Sequence, residues 1–121
     1  MYQLKVRKNF SAAHFLRNYN GKCENIHGHN YTVEIYLQGE KLNETGYVMD
    51  FTDIKAHLKQ ILAQLDHSCL NELEAFYKQN PTAENIARYI YEELKCLLEK
   101  DLCISAVEVW ETSEQSAKYI P

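Results

Sequence analysis

Cys23 stands four residues ahead of His27-Gly28-His29, and a third histidine, His14, lies one segment upstream. Three imidazoles can hold one divalent metal and leave a coordination position open to substrate or water. Imidazole nitrogens suit zinc, at about 2.0–2.1 Å. A cysteine beside such a metal is a candidate acid/base or nucleophile, because nearby positive charge lowers a thiol pKa. As a fourth ligand, the same cysteine would instead close the site and make it structural. Histidines merely hydrogen-bonded, without a metal, are a third reading. The spacing leaves all three open.

Two further positions carry chemistry. Asp66-His67 follows a helical pattern. A helix C-terminus and an adjacent carboxylate both favour a protonated imidazole, so His67 is either a solvated helix end or an acid/base group oriented by Asp66. Glu111 ends the last long strand pattern. It is either solvated or placed to accept two N–H donors from a flat heterocycle with a guanidine-like edge. Glu84 reads as a negative charge in a first helical turn, where it suits the helix dipole.

These residues need elements to position them. Residues 2–14 alternate, with Leu4, Val6, Phe10 and Ala12 on one parity and His14 continuing it. Residues 29–38 alternate again, and His27 and His29 share the parity of Tyr31, Val33, Ile35 and Leu37. Alternate residues of a strand point to one face, so paired strands would put all three histidines at the end of one sheet face. A bulge at Gly28 would break that alignment. Residues 51–65 and 83–99 show helical spacing, capped by Asp50 or Thr52 and by Thr82. A strand over 102–112 and a short edge strand over 117–120 complete the chain. The order ββααββ predicts an α+β fold, an antiparallel four-stranded sheet with two helices packed on one face.

The 121 residues predict a single domain over 1–121. A chain of this size has little room for an enclosed pocket, so a site between subunits is expected. The net charge of -4 and the absence of a basic block argue against a nucleic-acid partner. No apolar leader opens the sequence and no apolar run is long enough to span a membrane, so a cytoplasmic protein is expected. The four cysteines, Cys23, Cys69, Cys96 and Cys103, are irregularly spaced and read as free thiols. Cys96 is read as core filling on its helix.

Several segments in order, Phe10-Ser11-Ala12-Ala13-His14, Cys23 with His27-Gly28-His29, Gly46-Tyr47-Val48-Met49-Asp50-Phe51, Leu65-Asp66-His67 with Leu70-Asn71, Asn80-Pro81-Thr82-Ala83-Glu84-Asn85 and Trp110-Glu111-Thr112, resemble the 6-pyruvoyl-tetrahydropterin synthase family. Within it they resemble the carboxy-forming bacterial branch of queuosine biosynthesis, whose gap between cysteine and first histidine is similar to the three residues between Cys23 and His27. The resemblance implies a T-fold (tunnelling fold), with subunits joining sheets into a barrel, commonly as hexamers, and sites at subunit interfaces. It implies one Zn2+ per subunit on His14, His27 and His29. It makes Cys23, Asp66 and His67 the catalytic group, and Glu111 with Thr112 the pterin-binding residues. The implied reaction is a carbon–carbon lyase step. It converts 7,8-dihydroneopterin triphosphate to 6-carboxy-5,6,7,8-tetrahydropterin, acetaldehyde and triphosphate. A pyruvoyl-forming synthase and a non-catalytic zinc-binding module are the alternatives. Arg17, Lys22 and Lys118 are candidates for the triphosphate clamp. Glu114 departs from the family, where a neutral residue is more usual.

Overall fold

The computed structural model describes residues 1–18 and 25–121; Cys23 and Lys22 lie outside the described residues. In chain order the elements are β1 (Tyr2–His14), β2 (His27–Gly39), α1 (Phe51–Leu62), β3 (Ser68–Cys69), α2 (Ala83–Leu97), β4 (Cys103–Thr112) and β5 (Gln115–Tyr119). Two single-turn 3-10 helices, Leu70–Glu72 and Glu74–Phe76, sit between β3 and α2. The sheet runs β3-β1-β2-β4-β5. Its four antiparallel members, β1, β2, β4 and β5, are those expected from the sequence. The fifth, β3, is a parallel addition of two residues, Ser68 and Cys69, against Ala12 and Ala13. Two residues are too few for alternation to show.

Both helices pack on one face, α1 against β1 and α2 against β4 and β5, and they touch each other. That face is the apolar parity read from sequence. Val6, Phe10, Tyr31, Val33, Ile35, Leu37, Val107 and Val109 meet Ile54, Leu58, Ile86, Ile90 and Leu94 in one core. Each such side chain contributes roughly 1.5–3 kcal/mol on full burial. Asp50 caps α1 by accepting from the Thr52 N–H at 2.8 Å, and Thr82 caps α2 by accepting from the Asn85 N–H at 3.2 Å.

Some boundaries differ from the expectation. Helix α1 stops at Leu62, yet Leu65 stays buried, because turns donating to Ile61 and Leu62 carry the chain back toward the sheet. Helix α2 stops at Leu97, and β5 begins at Gln115. Cys96 is exposed and does not fill the core. It lies two residues past Leu94, which at the helical repeat is the opposite side.

The other sheet face is polar and holds a buried carboxylate. Glu34 is 2% exposed. It accepts from Trp110 Nε1 at 2.7 Å and pairs with Lys5 at 3.0 Å and Arg7 at 3.4 Å. Burial alone would raise its pKa, but these partners hold it below the usual carboxylate range. Beside it, Glu108 accepts from the Tyr36 and Ser116 hydroxyls.

Candidate active site

The β1–β2 ladder sets the first part of the site. Its register is continuous to the strand ends, pairing Ala12 with His29 and His14 with His27. No bulge interrupts it at Gly28, so His14, His27 and His29 extend the core face beyond its last apolar residues. Their ligand nitrogens lie within 4.8 Å of one another.

The hydrogen bonds fix which nitrogens are free. His14 Nδ1 faces the Pro81 carbonyl at 2.7 Å and the Tyr31 hydroxyl at 3.2 Å. His27 Nδ1 faces the Asn25 carbonyl at 2.8 Å. A carbonyl only accepts, so both δ nitrogens carry the proton and both ε nitrogens present lone pairs. Those two lone pairs face each other, with Nε2 of His14 3.0 Å from Nε2 of His27. His29 Nε2 is buried with no partner among the described residues. Two facing lone pairs, with a His29 nitrogen within 4.8 Å of them, need a cation between them or an extra proton. Burial pushes His14 and His29 below the usual imidazole range, which disfavours the proton. The three residues therefore suit a metal ion, and second partners orient the His14 and His27 rings as metal-bound imidazoles require.

The turn after α1 places Asp66 and His67 against β1. The His67 N–H donates to the Ser11 carbonyl at 2.6 Å, and the Ser11 N–H donates to Asp66 Oδ1 at 2.9 Å. His67 adopts φ 56°, a left-handed conformation costing a non-glycine residue about 1–2 kcal/mol. Asp66 Oδ2 is 2.9 Å from His67 Nδ1, and the His67 side chain is 83% exposed. The Ser11 N–H, then His67, hold Asp66 below the usual carboxylate range. Asp66 thus orients the His67 ring through Nδ1. His67 and His29 line one open cavity of about 480 Å³, with Ser11, Gly28 and Asn30 on its walls.

Glu111 occupies a bulge where the β4–β5 register shifts between Trp110 and Thr112. Its Oε2 accepts from Gln115 Nε2 at 3.1 Å. It lines a small cavity of about 140 Å³ with Glu84, Gln115 and the start of α2. Its charge opposes the effect of burial on His14 and His29, which puts it within electrostatic reach of the histidines. Glu84 shares that cavity, a placement the dipole reading did not anticipate. The available signal was its position two residues after the Thr82 cap, in the turn that meets β4 and β5. Thr112 is exposed, and its hydroxyl accepts from the Glu114 N–H in the β4–β5 hairpin.

Arg17 does not hold a free guanidinium. It donates to the carbonyls of Phe76 at 2.8 Å and of Gln79 and Asn71, both at 3.4 Å. Lys118 lies 3.8 Å from Glu108 on the polar sheet face, over the Tyr36 ring. A cavity of about 1120 Å³ opens at the far end of the sheet around Gly39, Val48 and Asp53 and is lined by none of these residues.

A sequence profile of the 6-pyruvoyl tetrahydropterin synthase family matches residues 3–121. The chain belongs to that family. Its relatives include the 6-carboxy-5,6,7,8-tetrahydropterin synthase of Synechocystis, 38% identical, with 91% of this chain and 86% of the relative covered. The dihydroneopterin monophosphate aldolase of Pyrococcus furiosus is 35% identical, covering 89% and 88%. The solved 6-pyruvoyl tetrahydropterin synthase of Caenorhabditis elegans superposes with a TM-score of 0.89 at 30% identity, covering 99% and 95%. The architecture is the T-fold of this family, and the chain is a lyase-type enzyme of the pterin synthases. No helix among the described residues is long and apolar enough to cross a membrane.

Proposed function

We propose that this enzyme converts 7,8-dihydroneopterin triphosphate to 6-carboxy-5,6,7,8-tetrahydropterin, releasing acetaldehyde and triphosphate, as a cytoplasmic step of queuosine (7-deazaguanine) biosynthesis. The observation that carries this reading is the convergence of the His14, His27 and His29 ligand nitrogens at one end of the sheet, within 4.8 Å of one another. His14, His27 and His29 would hold zinc. Bound zinc would act as a Lewis acid toward the substrate's side-chain hydroxyls. Nε2 of His67 and the Cys23 thiol would take and return protons as the dihydropterin ring gains the hydrogens its side chain loses. Glu111 would accept the N–H groups of the pterin edge, with Thr112 beside it.

The three-residue gap between Cys23 and His27 favours the carboxy-forming product. The close superposition on the C. elegans enzyme supports a second reading, a pyruvoyl-forming synthase. Anaerobic incubation of zinc-loaded protein with 7,8-dihydroneopterin triphosphate separates them. Acetaldehyde is expected; elimination of triphosphate with no acetaldehyde would sink the first reading.

Glu111→Gln keeps shape but removes the charge. A hydrogen bond to a charged group contributes about 1.5–3 kcal/mol, so kcat/KM is expected to fall roughly 10–200-fold. An unchanged kcat/KM would remove Glu111 from the pterin site.

We further propose a homo-oligomer, a hexamer with barrels formed by edge-to-edge sheets. Strand β1 pairs β3 only at Ala12 and Ala13, and the outer edge of β5 has no partner among the described residues. Such edges invite pairing. The polar face around Glu34 would then line the barrel, and Cys23 would meet Asp66 and His67 across an interface. Sedimentation as a monomer at assay concentration would exclude this arrangement.

A further inference from the structure

His14 is held from behind by the start of α2, and the residue that fixes that contact is Asn80. Its side chain makes a reciprocal pair with the backbone of Arg17, accepting from the Arg17 N–H at 2.9 Å and donating to the Arg17 carbonyl at 3.0 Å. Its own carbonyl accepts from the Thr82 N–H at 2.9 Å, closing a three-residue turn around Pro81. The same carbonyl accepts from Asn85 Nδ2 at 2.8 Å. Pro81 has a fixed φ, and the Thr82 N–H to Asn80 carbonyl bond restrains its ψ, so the turn sets where its carbonyl points. That carbonyl is the one 2.7 Å from His14 Nδ1.

We propose that Asn80 is a positioning residue for His14. By locking the Pro81 turn between the exit of β1 and the start of α2, it sets the His14 tautomer that leaves Nε2 free for metal. Asn85 supports the same turn from the helix side. This inference rests on the metal reading above and deepens it.

A neighbouring residue supplies the control. Asn71 makes the same reciprocal pair one step earlier, with the Phe15 N–H and carbonyl, both at 3.0 Å. It grips the same segment of chain but is not part of the Pro81 turn. A general loss of that grip would therefore show in Asn71→Ala as much as in Asn80→Ala.

Two readouts are needed. The first is the ¹⁵N spectrum of the His14 ring in metal-free protein. The second is zinc affinity by competition with a chelator, with thermal unfolding measured alongside. Wild type is expected to show the Nδ1-protonated ring, and Asn80→Ala a mixture of tautomers. Removal of an outer hydrogen-bond partner typically costs about 10–100-fold in metal affinity; Asn80→Ala loosens the Pro81 carbonyl without removing it, so a loss toward the lower end, about 10-fold, is expected. Asn71→Ala is expected to lower the melting temperature while keeping zinc affinity near the wild-type value.

Asn80→Ala with wild-type tautomer and zinc affinity would overturn the proposal alone. So would an equal loss of zinc affinity in Asn71→Ala. A wild type that shows the Nδ1 tautomer yet binds no zinc would overturn the metal reading and this inference with it. Should Asn80→Ala not fold, Asn85→Ala removes the second donor to the Asn80 carbonyl without touching the Arg17 pair. A smaller shift of tautomer and affinity in the same direction is expected there, and no shift would count against the proposal.

Discussion

His29→Ala is expected to lose tight zinc binding and turnover while remaining folded. His29 Nε2 is the buried nitrogen with no partner among the described residues, so a bound ion is what it is placed to meet. Removing it leaves His14 and His27, a two-nitrogen set that cannot define a catalytic site of three protein ligands. The loss in affinity should exceed the roughly 10–100-fold that removal of a supporting hydrogen bond costs. The fold should tolerate the change, because His29 lies near the end of the β1–β2 ladder and is only half-buried. Ligand-linked stability provides a direct reading. Zinc at 100 times its dissociation constant adds about 2.7 kcal/mol to a protein that binds it only when folded. Wild type should therefore melt higher with zinc, and His29→Ala should not. Equal thermal shifts and equal turnover in the two proteins would sink the three-histidine site. Acid should also release the metal, since ligation requires neutral rings. Burial holds His14 and His29 below the usual value of 6.5, so their ε nitrogens stay available somewhat below that pH.

Cys23→Ala is expected to do the opposite: keep the metal and lose the reaction. The three histidines supply three ligand nitrogens of their own, and Cys23 lies outside the described residues. A thiol acting as general acid or base contributes about 10²–10⁴-fold, and turnover should fall by that order. Zinc content should stay at one per subunit. A closed structural site makes the reverse prediction, because a tetrahedral centre that loses its thiolate ligand releases its metal. Metal analysis and acetaldehyde release on the same two preparations decide between them. Loss of zinc in Cys23→Ala would turn the assignment toward a zinc-binding module. Turnover at the wild-type rate would remove Cys23 from catalysis.

The separation between these variants follows from how the site is built. The histidines belong to the rigid end of the β1–β2 ladder. Asp66 and His67 belong to a turn tied to the Ser11 backbone of β1 by two hydrogen bonds, one from the His67 N–H and one to the Asp66 side chain. Glu111 belongs to a bulge at the far side, in β4. Three parts of the chain thus reach one end of the sheet by independent local devices. A change in one should leave the others in place.

Alternation by itself determined the strand faces, and with them that His14, His27 and His29 share one side. It could do so because side-chain direction in a strand has a strict period of two, and no bulge interrupts the register at Gly28. Helical spacing likewise determined which faces of α1 and α2 are buried. The reading failed at Cys96, where an apolar residue in a helix was taken as core although its angular position is outward. Other features were decided only by tertiary contacts. The parallel pairing of Ser68 and Cys69 and the left-handed turn at His67, tied to Ser11, each depend on where β1 lies. The Arg17 side chain reads as a free cation in sequence, yet it is spent on the carbonyls of Asn71, Phe76 and Gln79. The Pro81 carbonyl behind His14 has no sequence signature at all, because every residue has a carbonyl and only packing decides which one faces a ring. Periodicity records local geometry, and hydrogen bonds between residues 67 apart, such as His14 to Pro81, belong to the folded chain alone.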